Sequence, residues 1–139
     1  MRVHLALAVL TVAAGLAGCA STEGPLEPGR LRVTGLEVAN DAKVDVRYPA
    51  LFTYEANGDV QIYDSCFLWS DPASDLTLFG EGPYCFAPET GPGPGAVKAM
   101  LISGYGGTYR LEGYVRYFGG GILHSSNSVS HEVTVKRRY

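Results

Sequence analysis

The side chains of this sequence that could do chemistry are mainly those of three cysteines, Cys19, Cys66 and Cys85, and three histidines. A thiol can serve as a nucleophile, a redox group, a metal ligand or a disulfide partner. Redox pairs usually have close CxxC spacing, which these cysteines lack, and no cysteine–histidine cluster accompanies them. The number of cysteines is odd, and in an exported chain an odd cysteine needs an explanation.

The motifs of common catalytic sites are not found: there is no GxSxG, no HExxH and no phosphate-cradling loop. Asp64, Asp71 and Asp75 cluster in the sequence but lack calcium-loop spacing and its bidentate glutamate, which indicates loop polarity. If the last strand is unbroken, the odd separation of His124 and His131 places them on opposite faces and disfavours a shared metal ion. The sequence therefore predicts no enzyme, no cofactor and no metal site.

The amino terminus has the pattern of a secretory signal. Arg2 supplies a cationic start, residues 5–16 carry no charge, and small residues precede Cys19. The apolar run is well short of the roughly 20 residues that a membrane-spanning helix needs. An ordinary signal peptide cut elsewhere, with an incidental cysteine, is one interpretation of this pattern.

A second interpretation rests on Leu16-Ala17-Gly18-Cys19, which resembles the lipobox of bacterial lipoproteins. The resemblance implies that residues 1–18 are removed and that Cys19 becomes a lipid-bearing (palmitate-type) first residue, so that the membrane is a partner through this anchor. Ala20, where an aspartate would favour the inner membrane, implies the outer membrane of the cell envelope. If Cys19 carries lipid, Cys66 and Cys85 are left as an even pair in an oxidising compartment. We then expect a structural disulfide worth roughly 3 kcal/mol in the chain-entropy model.

Composition limits the class of the exposed part. The chain has 139 residues and a formal net charge of −3, which offers no support for nucleic-acid binding. Residues 19–30 are polar, contain two prolines and predict a flexible spacer after the lipid site. Residues 31–139 have the size of one domain. The basic cluster Lys136-Arg137-Arg138 is a solvated strand end or, alternatively, a contact for anionic lipid or envelope polymer.

Alternating apolar residues predict about seven to eight short antiparallel strands and therefore an all-β sandwich. In Leu31–Ala39 the alternation slips near Gly35, which indicates a bulge. We expect a half-buried strand over residues 43–48, a hairpin at Asn57-Gly58, and a strand covered on both faces at Val97–Ser103.

The stretches GGTYRLEGYVRYFGGG and SNSVSHEVTV are similar to the final hairpin of bacterial immunoglobulin-like and fibronectin type III-like domains. In those folds a tyrosine at the start of the penultimate strand anchors the preceding corner through its hydroxyl. The resemblance assigns this role to Tyr109 and places Leu111, Val115 and Tyr117 in the core. The short separation of Cys66 and Cys85 departs from the inter-sheet disulfide of antibody domains and predicts a local bridge.

The stretch Ser70–Tyr84 is the candidate binding loop, because Leu76, Phe79 and Tyr84 are more apolar than a solvated loop requires. One hypothesis is a recognition loop pinned by the disulfide. The other is an edge strand in which Leu76 and Leu78 pack on the sandwich.

These observations predict an envelope lipoprotein that displays a small binding or structural module to an envelope protein or glycan. Two alternatives stay open. One is an accessory or inhibitor subunit of an envelope complex. The other is a carbohydrate-binding domain or cryptic hydrolase, which would need a carboxylate pair across a cleft.

Overall fold

The computed structural model describes residues 24–137, except positions 75, 80, 81 and 91. Cys19 and the predicted signal peptide therefore lie outside the described residues. Within the described part no helix is of the length and apolarity needed to cross a membrane. The strands found there are β1 (Arg30–Val38), β2 (Tyr48–Asn57), β3 (Val60–Ser70), β4 (Thr77–Leu78), β5 (Tyr84–Phe86), β6 (Ala96–Leu101), β7 (Gly107–Gly119), β8 (Ile122–Ser125) and β9 (Val129–Val135).

The strands form two antiparallel sheets. The smaller sheet has the order β1-β2-β6. The larger sheet has the order β4-β3-β7-β8, with β5 also paired to β3 and β9 also paired to β7. The chain changes sheets between β2 and β3, between β5 and β6 and between β6 and β7, as in an immunoglobulin-like Greek key. The predicted all-β immunoglobulin-like sandwich is confirmed.

The core lies between the two sheets and is rich in aromatic side chains. Phe52 of the small sheet stacks on Phe67 of the large sheet with ring centroids 5.4 Å apart. Leu111, Val115 and Tyr117 alternate along β7 and are at most 1% exposed, as the strand pattern predicts. Alternation along each strand therefore supplies one buried face per sheet.

The predicted irregularity in the first strand is confirmed. The pairing of β1 with β2 shifts register between Val33 and Gly35. This shift allows Leu31 and Val33 before it, and Leu36 and Val38 after it, to be buried on the same side.

The hairpin prediction at Asn57-Gly58 is wrong, although the turn itself is present. β2 pairs with β1 and β6, whereas β3 pairs with β4, β5 and β7, so the two strands flanking Gly58 belong to different sheets. Gly58 has a φ of 85°. The Asn57 side chain donates to the carbonyl of Leu26 at 2.7 Å and its own carbonyl accepts from Gly29 at 2.8 Å. The amino-terminal segment thus takes the hydrogen bonds that a hairpin partner would have used.

Two further strand predictions need correction. Residues 44–47 form turns and bends rather than a strand, with Asp45 at a φ of 61° and Val46 43% exposed. Of the predicted strand, Lys43 makes an isolated parallel bridge to Lys136, and Tyr48 is the first residue of β2. The strand at 97–103 ends at Leu101 and is buried on one face only, because in a two-layer sandwich each sheet has a single inner face.

The last strand is broken, contrary to the assumption made for the histidines. β8 and β9 pair with successive parts of β7, and the break between them shifts the register by one residue. His124 therefore pairs with Tyr117 and His131 with Leu111, so both face the same side of the sheet. They are six positions apart along β7, roughly 20 Å, which is too far for a shared metal ion.

The sandwich has two ends that matter for function. The base, as we call it, contains Asn57, the Gly120-Gly121 turn and the start of β1. The apex contains the end of β3, the end of β6 and the start of β7. Residues 24–29, part of the predicted spacer, contact the base, where Arg32 donates to the carbonyl of Gly24.

Candidate functional site

The predicted disulfide is confirmed and is local. Cys66 and Cys85 are directly opposite each other on β3 and β5, with Cα atoms 4.0 Å apart. Cys66 is fully buried and Cys85 is exposed. The bond therefore fixes the end of the 70–84 loop to the large sheet, on its outer face.

The interpretation of Asp64 as a polar loop residue is wrong. Asp64 lies on β3, is buried, and forms an ion pair with Arg116. Its carboxylate accepts from Arg116 Nε at 2.8 Å and from Arg116 Nη2 at 2.5 Å. The hydrogen bond to Asp64 raises the pKa of Arg116, so the guanidinium stays charged. Asp64 also lies beside both disulfide sulfurs, within 4.8 Å. Because disulfide sulfurs are not thiolates, this group is not a metal site.

The candidate loop begins as an edge strand and then leaves the sheet. β4 is two residues long and pairs only with Trp69 and Ser70. Leu76 is 66% exposed, so the prediction that it packs on the sandwich is wrong, whereas Leu78 packs partly against the core. Asp71 holds the turn by accepting from the amide of Ala73 and the hydroxyl of Ser74.

Past β4, Phe79 turns back toward the apex of the sandwich. Its φ is 61°, a conformation that non-glycine residues seldom adopt. The Tyr84 hydroxyl donates to the Phe79 carbonyl and closes this part of the loop. The ring of Phe79 lies edge-on to Trp69 at 6.3 Å and parallel to Tyr105 at 6.0 Å. Unusual backbone geometry held by such contacts is often found at binding sites.

Together these residues line an apolar cleft of about 320 Å³ at the apex. Tyr105 is 70% exposed and Ile102 is 53% exposed, so the rim is accessible from solvent. Trp69 forms part of the lining and is 5% exposed, and its Nε1 has no hydrogen-bond partner among the described residues. We call this the apical cleft; its lining comprises Trp69, Phe79, Tyr84, Phe86, Ile102, Ser103, Gly104 and Tyr105.

Tyr109 supports the loop that carries Tyr105. Its hydroxyl lies 2.9 Å from the carbonyl of Tyr105 and 3.0 Å from that of Gly106, which is the geometry of a tyrosine corner. Burial, with a smaller contribution from Tyr48, raises the pKa of Tyr109 and keeps this donor protonated. The Tyr109 ring also contacts Phe79 at 5.2 Å. One residue thus positions both walls of the apical cleft.

The predicted loop supplies two of the eight residues that line the apical cleft. Phe79 and Tyr84 belong to the predicted loop, but Leu76 does not line the cleft. Ile102 and Tyr105 were missed because they follow β6, 18 and 21 positions after Tyr84. The signal available in the sequence is the Ser103-Gly104 pair, typical of a turn, with a large apolar residue and a tyrosine on either side.

No protein family and no curated protein matches the chain. Among solved structures, a cohesin module from the family 33 glycoside hydrolase of Clostridium perfringens ATCC13124 is similar at 17% identity and a TM-score of 0.40. The match covers 78% of this chain and 98% of the cohesin module. This similarity concerns general architecture and leaves the function of the chain to its own geometry.

Proposed function

We propose that this chain is an exported, lipid-anchored binding module whose apical cleft receives an apolar segment of an envelope protein. The observation that carries the proposal is the position of the cleft. It lies at the end of the sandwich opposite to the base, where the described chain begins at Gly24. A domain tethered by its amino terminus would therefore present the cleft away from the tether.

The dimensions fit this arrangement. β7 runs from apex to base over 13 residues, which is about 40 Å. Cys19 precedes Gly24 by five positions, so the lipid-bearing residue is at most about 17 Å of chain from the base. The cleft would be held tens of ångströms from the membrane surface. Tethering raises the local concentration of the module, so that weak contacts suffice for stable capture.

The chemistry of the cleft favours a protein partner. Its walls are aromatic and aliphatic, which suits an apolar side-chain anchor. Its polar groups are few, and the Ser103 hydroxyl is already engaged with that of Tyr48 at 2.7 Å. A sugar ring would stack on the aromatics but would find few partners for its hydroxyls. Trp69 Nε1, which is buried and has no hydrogen-bond partner among the described residues, is the one unused donor of the residues named here.

The partner is tested by crosslinking in the native envelope followed by mass spectrometry. We compare Tyr105→Ser, which removes an exposed ring of the cleft, with Leu76→Ser, which removes a similarly exposed residue outside it. One dominant crosslinked protein that is lost in Tyr105→Ser and kept in Leu76→Ser supports the proposal. Equal crosslinking in both variants, or recovery of glycan alone, contradicts it.

The anchor is tested separately by labelling cells with palmitate. We expect label on the full chain, its loss in Cys19→Ser, and partition of the labelled protein into the detergent phase. Strict co-purification with a single complex would identify the protein as an accessory subunit, which specifies the proposal further. A product that begins at another residue and stays in the aqueous phase would refute the anchor.

A further inference from the structure

The base of the sandwich carries a second exposed apolar surface, which we call the base patch: Tyr63, Phe118, Ile122 and Leu123. Their exposed fractions are 51%, 37%, 62% and 41%, respectively. Phe118 and Leu123 are direct cross-strand partners on β7 and β8 and share the outer face with Tyr63, whereas Ile122, opposite the buried Gly119, points to the other side at the tip of the same hairpin. Exposed apolar residues that are clustered, unlike those that are scattered, usually mark an interaction site.

Specific contacts hold the aromatic residues of the patch in place. Tyr63 is the extra residue where the β3–β7 pairing shifts register between Ile62 and Asp64. Its ring meets that of Phe118 edge-on at 5.7 Å. The Arg116 guanidinium, held in place by Asp64, lies 5.3 Å from the centre of the Tyr63 ring. The ion pair therefore fixes an exposed ring in position, at the cost of desolvating a charged pair.

The patch lies on the hairpin that the amino-terminal segment crosses at the base of the sandwich. The Gly120-Gly121 turn joins its two strands, with φ values of 62° and 80°, and a side chain at either position would meet no atom within 4 Å. The turn thus projects into open space. At the neighbouring Gly119, an added Cβ would lie 1.9 Å from the carbonyl oxygen of Gly29, so the segment crosses the hairpin in direct contact, on the face opposite to Phe118 and Leu123.

We propose that the base patch is a membrane-contact surface, with Tyr63, Phe118, Ile122 and Leu123 inserted at the headgroup boundary of the bilayer. This inference rests on the lipid anchor proposed above. The short chain between Cys19 and Gly24 holds the base within about 17 Å of the acylated residue, so the patch has the bilayer as its nearest apolar phase. Tyrosine and aliphatic side chains are the residues that favour this boundary.

The contact depends on apolar area rather than on charge. Asp59 borders the patch beside Phe118, and an acidic neighbour gives no attraction to anionic lipid. We therefore expect the patch to bind zwitterionic vesicles as well as it binds anionic vesicles. Because the anchor already confines the domain, a weak contact is enough to orient it. The orientation directs the apical cleft away from the membrane.

The test places one additional tryptophan at each end of the full acylated chain. Leu123→Trp reports from the base patch and Tyr105→Trp is the matched exposed position at the apex; Trp69 gives a buried background in both. Each variant is reconstituted in phosphatidylcholine vesicles with and without brominated acyl chains, after circular dichroism shows native folding. We expect quenching of Leu123→Trp to exceed that of Tyr105→Trp by roughly twofold or more, because quenching requires insertion near the acyl boundary.

The outcomes separate this inference from the anchor on which it rests. If the protein floats with the vesicles and both variants are quenched equally, or Leu123→Trp is not quenched, the patch does not touch the membrane. A dimer formed through the patch, which Leu123→Ser dissociates while vesicle quenching is absent, overturns the inference in favour of a second copy. A protein that fails to float with the vesicles refutes the anchor and this inference together.

Discussion

One added methyl group at Gly113 tests the packing on which the whole sandwich depends. Gly113 is a buried residue near the centre of β7, opposite Phe67 on one side and Val129 on the other. A Cβ at this position would lie 2.6 Å from Phe52 Cζ and 3.0 Å from two ring atoms of Phe67. Both phenylalanines are fully buried and stack on each other. The rings therefore have no free space into which to move.

Two opposing effects determine whether Gly113→Ala raises or lowers the free energy of unfolding. Replacing glycine by alanine within a strand ordinarily stabilises a protein by about 0.5–1 kcal/mol, because the unfolded chain loses freedom. Overpacking a closed core costs about 1–3 kcal/mol. The contacts at 2.6 Å make the second effect the larger one. We expect the free energy of unfolding to fall by about 1 kcal/mol, which corresponds to a decrease in Tm of roughly 4 °C.

Urea unfolding followed by circular dichroism measures this difference, with Gly104→Ala as the matched control. A Cβ at Gly104 would meet no atom closer than Asp45 Oδ1 at 4.0 Å, so this variant is expected to be neutral or slightly stabilised. If Gly113→Ala proves as stable as the wild type, or more stable, the conclusion that the Phe52–Phe67 stack closes this site is refuted. A Gly104→Ala variant that is equally destabilised would show that the effect is not one of core packing.

Three further predictions concern contacts that hold loops and strands of the sandwich together. Replacing Cys66 and Cys85 together by serine should lower the free energy of unfolding by about 3 kcal/mol for a sequence separation of 19, and urea titration of both forms in the absence of reductant measures this loss. Tyr109→Phe removes the corner hydrogen bonds and should cost about 1 kcal/mol in thermal unfolding, whereas Tyr105→Phe should change nothing. Asn127→Ala removes two 2.9 Å hydrogen bonds between the Asn127 side chain and the backbone of Val33. We expect the free energy of unfolding to fall by about 1–3 kcal/mol and the Val33 amide to exchange faster. Unchanged exchange at Val33 would contradict the stabilising role of these hydrogen bonds.

Strand positions were predictable where alternation alone determines burial. The bulge at Gly35, the core face of β7 and the pairing of Cys66 with Cys85 all follow from patterns within one segment or from cysteine counting. The Asn57-Gly58 turn shows the limit of this reasoning. Its residues favour a tight turn, but which strands pair afterwards depends on all the surfaces that must be buried.

The candidate sites show the same division. The sequence predicted an exposed apolar loop that contains Phe79 and Tyr84, because its composition departs from that of a solvated loop. Tyr105 joined the site only through the fold, since the β6–β7 connection and the β4–β5 loop meet at the apex. The base patch escaped detection because Tyr63 and Phe118 follow ordinary strand alternation, and only the register shift places them together on the outer face.

The sequence by itself determined properties that local chemistry controls: an all-β chain, its turn residues, a cysteine pair, and the motif from which export and lipid attachment are proposed. Tertiary structure decided the sheet to which each strand belongs, the broken last strand, and the placement of two apolar surfaces at opposite ends. The physical reason is that alternation and turn propensity act over a few residues. Strand pairing and side-chain clustering instead depend on the burial of distant segments against one another.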